Sequence, residues 1–327
     1  MRHTAMSLKI IRYVFIHLLL AISVLGSTSS YAQEHELMTL TPKQISSSVW
    51  YVEGATALGS VQNKNFISNA AFVVGAQGVV VIDALGSPAL AEALIRAISK
   101  ITPKKINAVI VTHYHADHIY GLQAFQKIGA KIISHPAAKE YLNSETARQR
   151  LFASRAELAP WVDENTKLLE ADTWISSETK LNIAGVDMLI KPVGPAHTPE
   201  DLVVFIPEDK VLFTGDLLFR GRLPFIGPTA DTGAWIQALG SFLDFKATVA
   251  IPGHGSVTEN ADADIKFLHD YLSYLRKMMR KAVDELELFD EAYEAIDWQQ
   301  FEHVPMFKFA NRINAYNTYL QLLDTKK

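Results

Sequence analysis

The residues most able to do chemistry in this 327-residue chain lie between positions 113 and 118. The stretch reads His113-Tyr114-His115-Ala116-Asp117-His118 and follows the apolar run 108–112, which is typical of a buried β-strand. Three imidazoles and a carboxylate this close together are ligands for a divalent metal ion, and a strand end would fix their directions. A histidine-rich surface loop is the alternative interpretation, and the rest of the chain argues against it.

Six neighbouring residues supply at most four ligands, so a complete site needs others from a distance. Three candidates each stand shortly after an apolar, strand-like run: His197, Asp216 and His254. Small residues flank each of them, and small neighbours let the backbone come close to a crowded metal centre. Any one of them alone could be a polar residue that ends a strand in a turn. Four such motifs at four strand ends favour one shared site.

The segments around these motifs indicate an α/β protein. Residues 78–134 read as strand, helix, strand, helix and strand, with the histidine motif in the loop after the second strand. An amphipathic helix is predicted over 137–158. Beyond it we predict strands over 179–183, 186–193, 202–206 and 210–214, a helix over 232–243 and a strand over 247–251. Two βα-rich halves are therefore expected to face each other.

Charged helical patterns begin near Asp262 and continue to the C-terminus, with helices predicted over 262–286, 290–296 and 309–323. We divide the chain into a leader over 1–32, a main domain over 33–260 and a C-terminal helical extension over 261–327. No linker rich in glycine, serine or proline precedes the extension. We therefore expect it to pack on the core.

The first 32 residues have the pattern of a secretory signal peptide. Basic residues precede an apolar stretch over 13–26, and the small residues Ser30 and Ala32 precede a cleavage site before Gln33. The apolar stretch is shorter than the ~20 residues that a membrane span needs, which disfavours an uncleaved anchor. The pattern predicts a periplasmic or secreted protein with no membrane span after cleavage.

Composition excludes several kinds of partner and chemistry. Cleavage removes three of the 31 basic residues and none of the 35 acidic ones, so the mature net charge is 28 minus 35, or −7. A moderately acidic protein has no electrostatic basis for binding nucleic acid. The chain has no cysteine, so disulfides, thiol nucleophiles and thiolate metal ligands are excluded.

Taken together, these motifs resemble those of the metallo-β-lactamase superfamily, a family of dinuclear zinc hydrolases. The resemblance covers residues 48–258 and implies a four-layer αβ/βα sandwich with two metal ions in a cleft at one edge of its two sheets. It also implies the ligands of each ion. One would be held by His113, His115 and His197, the other by Asp117, His118 and His254, and Asp216 would bridge both.

Nitrogen and oxygen ligands of this kind suit zinc, although the same set tolerates iron or manganese. Two zinc ions close together lower the pKa of a shared water towards neutrality, so a bridging hydroxide is the expected nucleophile. No serine or cysteine nucleophile is then needed. Asp117 is the expected catalytic residue, since it would orient the hydroxide and shuttle its proton.

The bridging aspartate limits which branches of the superfamily the chain can resemble. β-Lactamases with a thiolate ligand are excluded because the chain has no cysteine. β-Lactamases of the His/Asp-ligand type do not use a bridging aspartate, whereas glyoxalase II-like thioesterases do, in the same Thr-Gly-Asp context. Asp216 therefore favours a hydrolase that acts on a small thioester, ester or lactone-like carbonyl substrate.

Softer patterns over 215–224 and 310–316 resemble the exported SoxH-like and quinoprotein-relay zinc metallohydrolases. Arg220 and Arg222 follow the bridging aspartate closely and could bind a carboxylate on the substrate, with plain surface charge as the alternative. Phe66 lies in an early loop and is either a substrate-facing aromatic residue or only a loop anchor.

Three other functions stay open. They are a β-lactamase of the His/Asp-ligand type, a di-iron redox protein and a non-catalytic metal-binding accessory protein. Histidine at every nitrogen position and the lack of a flavodoxin domain disfavour the redox protein. The sequence specifies neither the natural substrate nor the oligomeric state.

Overall fold

A computed structural model describes residues 38–325 of the chain. The predicted leader lies outside these residues. One compact unit begins at Thr39 and takes in the rest of the described chain, including the helices after residue 260. The division of this unit at residue 260 stays a prediction. Among residues 38–325, no helix has both the length and the apolar character that crossing a membrane requires.

Seven strands form the first sheet in the order of the chain. Strands β1 to β4 pair antiparallel, and β4 to β7 pair parallel. A helix joins β4 to β5, as parallel neighbours require. The strands are β1 (Lys43–Gln44), β2 (Val49–Val52), β3 (Ala70–Val74), β4 (Val79–Ile82), β5 (Ile106–Ile110), β6 (Lys131–Ser134) and β7 (Thr173–Trp174).

Five strands form the second sheet in the order β12-β11-β10-β9-β8. Only the pair β11 and β12 is parallel, and the other neighbours are antiparallel. The strands are β8 (Thr179–Ile183), β9 (Val186–Pro192), β10 (Leu202–Ile206), β11 (Val211–Phe219) and β12 (Val249–His254). The parallel pair places the carboxyl ends of β11 and β12 at one edge.

Nine α-helices and a 3₁₀ turn over Phe242–Phe245 complete the described residues 38–325. They are α1 (Pro88–Ile101), α2 (Ala116–Ile119), α3 (Leu122–Lys127), α4 (Ala138–Asn143), α5 (Glu145–Leu158), α6 (Thr232–Ser241), α7 (Ala261–Asp284), α8 (Phe289–Ala295) and α9 (Phe307–Asp324).

Buried apolar side chains form a core between the two sheets and another on the outer face of the second sheet. Val80 and Ile110 of the first sheet belong to the same core as Val204 and Phe213 of the second. Trp235 is in the outer core, with apolar residues of α7 and α9. Because helices also pack on the first sheet, the fold is a four-layer sandwich with C-terminal helices on its core. This confirms the predicted fold.

Four predicted elements differ from the structure, among them the strand predicted over 247–251, which is β12 over Val249–His254 and so contains His254. The helix predicted over 137–158 is two helices, because Ser144 is extended and its hydroxyl accepts a hydrogen bond from the Ala147 amide, which caps a new helix. Strand β11 continues past the predicted end at residue 214 to Phe219, and every residue of it is buried. The histidine motif is only partly a loop, since its second half forms α2.

The buried amide of Asn69 joins the start of β3 to the end of β12. Its Nδ2 donates hydrogen bonds to the carbonyls of Pro252 (2.8 Å) and Gly255 (2.7 Å), and its Oδ1 accepts one from the Gly54 amide (3.1 Å). Its own backbone amide donates to the Gly253 carbonyl at 2.8 Å. Asn69 therefore holds the segment that carries His254.

Replacing Asn69 with alanine should lower the free energy of unfolding by about 2–4 kcal/mol, because three buried polar groups lose their partners. Urea denaturation measures this change. The control is Asn143→Ala, which removes one exposed bond to the Lys139 carbonyl and should change the free energy by less than about 0.5 kcal/mol. Equal losses in both variants would contradict the role given to Asn69.

Candidate metal centre

One edge of the sandwich brings together all seven predicted metal ligands, which form two groups. The first group is His113, His115, His197 and Asp216, and the second is Asp117, His118 and His254. Within each group the candidate ligand atoms all lie within 4.8 Å of one another. These are the two groups that the family resemblance implies.

In the first group the ring nitrogens converge on one point. Nε2 of His197 lies 2.9 Å from Nδ1 of His115 and 3.4 Å from Oδ2 of Asp216. Nε2 of His113 lies 3.8 Å from the same carboxylate oxygen. Two imidazole nitrogens 2.9 Å apart need either a proton or a cation between them. A metal ion would meet that need for every nitrogen in the group.

The second group also surrounds the Asp216 carboxylate. Nε2 of His118 lies 3.1 Å from Oδ1 of Asp216, and Nε2 of His254 lies 3.2 Å from Oδ2. Oδ2 of Asp117 lies 3.3 Å from Nε2 of His254 and 3.6 Å from Nε2 of His118. Asp216 is therefore shared by both groups.

Hydrogen bonds behind the rings determine which nitrogen faces the centre. Nδ1 of His118 donates to Oδ2 of Asp83 at 2.9 Å, and Nδ1 of His254 donates to the Ile67 carbonyl at 2.7 Å. The Thr112 hydroxyl donates to Asp83 at 2.8 Å, so its oxygen is left to accept from Nδ1 of His113 at 3.1 Å. In all three rings the Nε2 lone pair is then free for a metal ion.

Gly253 makes room for the central carboxylate, and Gly215 makes room for Thr112 behind His113. A Cβ on Gly253 would lie 1.9 Å from Oδ1 of Asp216, and a Cβ on Gly215 would lie 2.6 Å from the Thr112 hydroxyl oxygen. Gly215 also has a φ of +52°, which side chains disfavour. The sequence analysis noted small residues beside the ligands, and these two distances show why larger side chains would not fit there.

Further hydrogen bonds join the histidine motif to the loop that carries His197. Oε1 of Glu200 accepts a hydrogen bond from the Tyr114 amide at 3.1 Å, and the Leu202 amide donates to the Thr112 carbonyl at 2.9 Å. The Asp201 carboxylate accepts from the Thr198 amide at 2.8 Å. The two loops therefore hold each other in position.

Burial and the carboxylates act in opposite directions on the histidines of the metal-free site. Burial lowers the pKa of His113 and His115, and it lowers that of His197 to about 3, which keeps these rings neutral and ready to bind a cation. Burial also disfavours the charged forms of His118 and His254. There the neighbouring carboxylates, Asp216 foremost, outweigh burial and raise the pKa.

The residues fit a metal ion by their own chemistry. Nε2 of His113, Nε2 of His118 and Oδ1 of Asp216 are buried and have no well-aligned hydrogen bond within residues 38–325. Buried polar atoms without a partner are costly, and ligation by a cation would satisfy all three. The set contains only imidazole nitrogens and carboxylate oxygens, which zinc accepts.

Aromatic rings and one arginine form an adjoining wall of the site. The rings of Phe219 and His254 are stacked with centroids 5.1 Å apart, and Trp235 meets His197 edge-on at 5.1 Å. The Arg222 guanidinium lies 5.7 Å from the centre of the Phe219 ring. Arg222 is only 5% exposed, and its Nη1 has no hydrogen-bond partner in the described chain.

The other two predicted substrate residues are placed differently. The Arg220 guanidinium pairs with Asp264 of α7 at 3.3 Å and donates to the Ser256 hydroxyl at 2.9 Å, which favours a structural role over substrate binding. Phe66 is partly buried, and its backbone closes a turn with Asn63. Its role in substrate binding stays a prediction.

Two important residues were missed in the sequence. Asp83 ends the apolar strand β4, so the strand-end rule that selected His197 would also have selected it. Its φ of +62° turns the chain sharply there, and its carboxylate supports two ligands at once. No pattern in the sequence identifies Trp235, because the position of an apolar residue on a helix does not show which side chain it will contact.

One polar face of α9 fixes the loop that carries Arg222. Asn314 accepts a hydrogen bond from the Ile226 amide (2.8 Å) and donates to the Pro224 carbonyl (2.8 Å). Three residues on, Asn317 donates to the Ile226 carbonyl, and Gln321 binds the amide of Thr232 at 3.2 Å. The C-terminal extension therefore shapes one wall of the site.

The fold and the site together define a class of protein, a four-layer α/β hydrolase that depends on metal ions. The family model described as "Metallo-beta-lactamase superfamily" matches residues 64–254, which is more than half of the chain. The chain belongs to this superfamily and is a metal-dependent hydrolase. The resemblance stated from the sequence is confirmed at the level of the superfamily.

Named relatives include β-lactamases and alkylsulfatases. The type 2 metallo-beta-lactamase of Bacillus cereus is 26% identical over 253 residues, 73% of this chain and 90% of that protein. The linear primary-alkylsulfatase of a Pseudomonas species is 22% identical over 254 residues, 66% of this chain and 48% of that protein. This chain thus spans about half the length of that alkylsulfatase.

Solved structures show the same fold. A metallo-beta-lactamase from Pontibacter korlensis matches 72% of this chain and 99% of its own, with a TM-score of 0.56 and 23% identity. A double mutant of the sec-alkyl sulfatase PisA1 matches 87% of this chain and 50% of its own, with a TM-score of 0.69 and 18% identity. At these identities the likeness establishes the fold alone.

Zinc affinity should rise with pH, because zinc needs unprotonated nitrogens and the carboxylates raise the pKa of His118 and His254. Because the pKa of these histidines is raised, zinc affinity should continue to rise at pH values above the ordinary histidine pKa of about 6.5. Competition with a chromophoric chelator at several pH values measures it. Asp83→Asn should weaken zinc binding by about 10–100-fold and move the rise to lower pH. An affinity independent of pH would contradict this account.

Asn314→Ala should speed hydrogen exchange at the Ile226 amide, because the side chain of Asn314 is the acceptor for that hydrogen. Exchange in β4 should be unchanged, since the effect is local. Amide exchange followed by mass spectrometry or NMR measures both. The control is Gln149→Ala on the exposed side of α5, which should alter neither region. Unchanged exchange at Ile226 would show that α9 does not hold the loop.

Proposed function

We propose that the protein is an exported dinuclear zinc hydrolase that cleaves a thioester, ester or lactone-like carbonyl substrate. The observation that carries the proposal is the position of Asp216, whose Oδ2 lies 3.4 Å from Nε2 of His197 and 3.2 Å from Nε2 of His254. These nitrogens belong to different ligand groups, so this carboxylate is placed to bridge two cations. The leader pattern supports export to the periplasm or beyond the cell.

When bound, two zinc ions supply a hydroxide near neutral pH and polarise the carbonyl that it attacks. Asp117 is the residue placed to orient that attack, because its side chain stays 16% exposed while those of His118 and His254 are buried. Burial opposes its ionisation, but His118 and His254 outweigh burial and lower the pKa of Asp117. The carboxylate is therefore ionised, which suits a hydrogen-bond acceptor that orients the nucleophile, whereas its lowered pKa makes it a weaker base.

The surroundings of Arg222 support the proposal that the substrate carries a negative charge. Its guanidinium is buried, its Nη1 lacks a partner in the described chain, and the fields of Asp216 and Asp117 both act on it. A buried cation without a full set of partners is costly, and an anionic group on the substrate would complete its hydrogen bonds. Binding of a substrate carboxylate here, as proposed from the sequence, is consistent with this placement.

A β-lactamase is the second candidate. It is favoured by the similarity to the Bacillus cereus enzyme, which extends over 90% of that protein. Asp216 argues against it, because a bridging carboxylate is the feature by which the thioesterases of this fold are recognised. The two candidates share the other six ligands and differ in the bridging carboxylate and in the substrate.

The proposal predicts that the zinc-loaded protein hydrolyses S-lactoylglutathione and that a chelator abolishes this activity. Asp117→Asn should lower the rate by about 10²–10⁴-fold, the usual contribution of a positioned acid or base. Asp216→Ala should abolish turnover and reduce the zinc content. The matched control is Asp187→Asn on the exposed side of β9, which should leave the rate unchanged. The assay follows thioester absorbance, with zinc measured by elemental analysis.

Parallel assays with nitrocefin and dodecyl sulfate separate the alternatives. Turnover of nitrocefin alone would establish the β-lactamase, and turnover of dodecyl sulfate alone would move the substrate class to sulfate esters. Full zinc content without turnover of any substrate in the panel would favour a metal-binding accessory protein. Hydrolysis that survives removal of zinc would overturn the mechanism.

A further inference from the structure

Exposed apolar residues are concentrated on the C-terminal helices. Residues 38–325 expose fourteen large apolar side chains, and seven of them lie between positions 286 and 323. Five of the seven are on α9, and two are on the turn between α7 and α8. With their exposed fractions they are Leu286 (80%), Leu288 (67%), Phe309 (60%), Ile313 (46%), Tyr316 (46%), Leu320 (38%) and Leu323 (36%).

The five exposed residues of α9 form one continuous line, which we call the apolar seam. Their positions, 309, 313, 316, 320 and 323, are separated by alternating steps of four and three. That alternation is the spacing of a helix that packs along another helix. The opposite side of α9, which includes Ala310, Asn314 and Leu322, is already buried on the core. The seam is thus a second face of α9 that residues 38–325 leave exposed.

The two exposed leucines of the turn adjoin the C-terminal half of the seam. The Tyr319 hydroxyl donates to the Glu287 carbonyl at 2.9 Å, and the ring of Phe289 lies 5.0 Å from that of Tyr316. These contacts place Leu286 and Leu288 beside the end of α9. The apolar surface is therefore wider at the C-terminal end of the seam than at Phe309.

We infer that a second copy of this chain covers the seam, with the two α9 helices antiparallel about a two-fold axis at Tyr316. The seam is nearly symmetric about Tyr316, so Ile313 of one copy meets Leu320 of the other, and Phe309 meets Leu323. Antiparallel pairing also brings the exposed Phe309 to the wide end that Leu286 and Leu288 enlarge. A two-fold interface of this kind uses the same surface on both copies.

The area is sufficient for a specific dimer. With about 150–250 Å² for a whole aromatic side chain and less for an aliphatic one, the seven residues present about 500 Å² from each copy. The pair would bury about 1,000 Å², the lower bound for a biological interface. A patch of about 500 Å² is as large as the largest apolar patch on a typical monomer, about 300–600 Å², and such patches are often functional.

Charge around the seam favours a protein partner over a lipid surface. The exposed residues of the turn beside its C-terminal half include Glu285 and Glu287, and Asp290 at the start of α8 pairs with Arg312 at 2.7 Å. Helices that lie on membranes carry lysine and arginine next to their apolar face, and anionic lipids would repel this acidic rim. In the antiparallel pair, Lys308 beside Phe309 approaches the acidic rim of the other copy.

Sedimentation velocity of the purified protein over a concentration series tests the inference. The wild type should sediment as a dimer. Ile313→Lys and Leu320→Glu should each shift it to the monomer, because each buries an unpaired charge at the seam. The matched control is Phe152→Lys, on the exposed side of α5, which should remain dimeric. Unchanged zinc content shows that each variant is folded.

The double variant Ile313→Lys with Leu320→Glu tests the direction of the helices. Antiparallel pairing sets each new lysine against a new glutamate and should restore the dimer, whereas parallel pairing sets like charges together and should not. A wild type that is monomeric at every concentration, or dimers that both single variants retain, would overturn the inference. A monomer that sediments with phosphatidylglycerol vesicles would overturn it in favour of a lipid surface.

Discussion

The buried carboxylate of Asp216 is the constraint on which the structure of the site depends. An ionised carboxylate that is 4% exposed costs several kcal/mol unless cations or hydrogen-bond donors surround it. Ring nitrogens from four histidines supply those surroundings, and burial keeps three of the seven ligands as neutral imidazoles. Position 253 requires glycine, because any side chain there would enter the space that this carboxylate occupies. The surrounding histidines and Gly253 therefore stabilise the central position of Asp216 in β11.

The C-terminal helices act on this site from outside it. One face of α9 holds the loop over 222–232 through the side chains of Asn314, Asn317 and Gln321, and that loop carries the buried Arg222. Arg220, two residues earlier, ties the end of β11 to α7 through Asp264. The extension therefore belongs to the working structure of the hydrolase. A superfamily core without these helices would have to build this wall in another way.

Much of the site could be predicted because its ligands follow apolar runs that are visible in the sequence, although Asp216 and His254 lie within the longer strands β11 and β12 of the structure. The strands over 179–183 and 202–206 were predicted with their observed bounds for the same reason. The break at Ser144 was missed, since a single capping serine looks like any polar residue on a helix. Arg220 and Arg222 show the limit most clearly. They are alike in sequence, and only their neighbours in space, Asp264 for one and Phe219 for the other, separate a structural residue from a buried cation.

The ligands of this site span 142 positions of the chain, from His113 to His254, and Asn69 reaches the segment around Gly253 from a distant part of the sequence. No short segment of the chain can therefore assemble the site by itself. The second group of ligands lacks His254 until β12 lies beside β11, and the first group lacks Asp216 until β11 is in place. Complete loading with metal ions thus requires the folded sandwich.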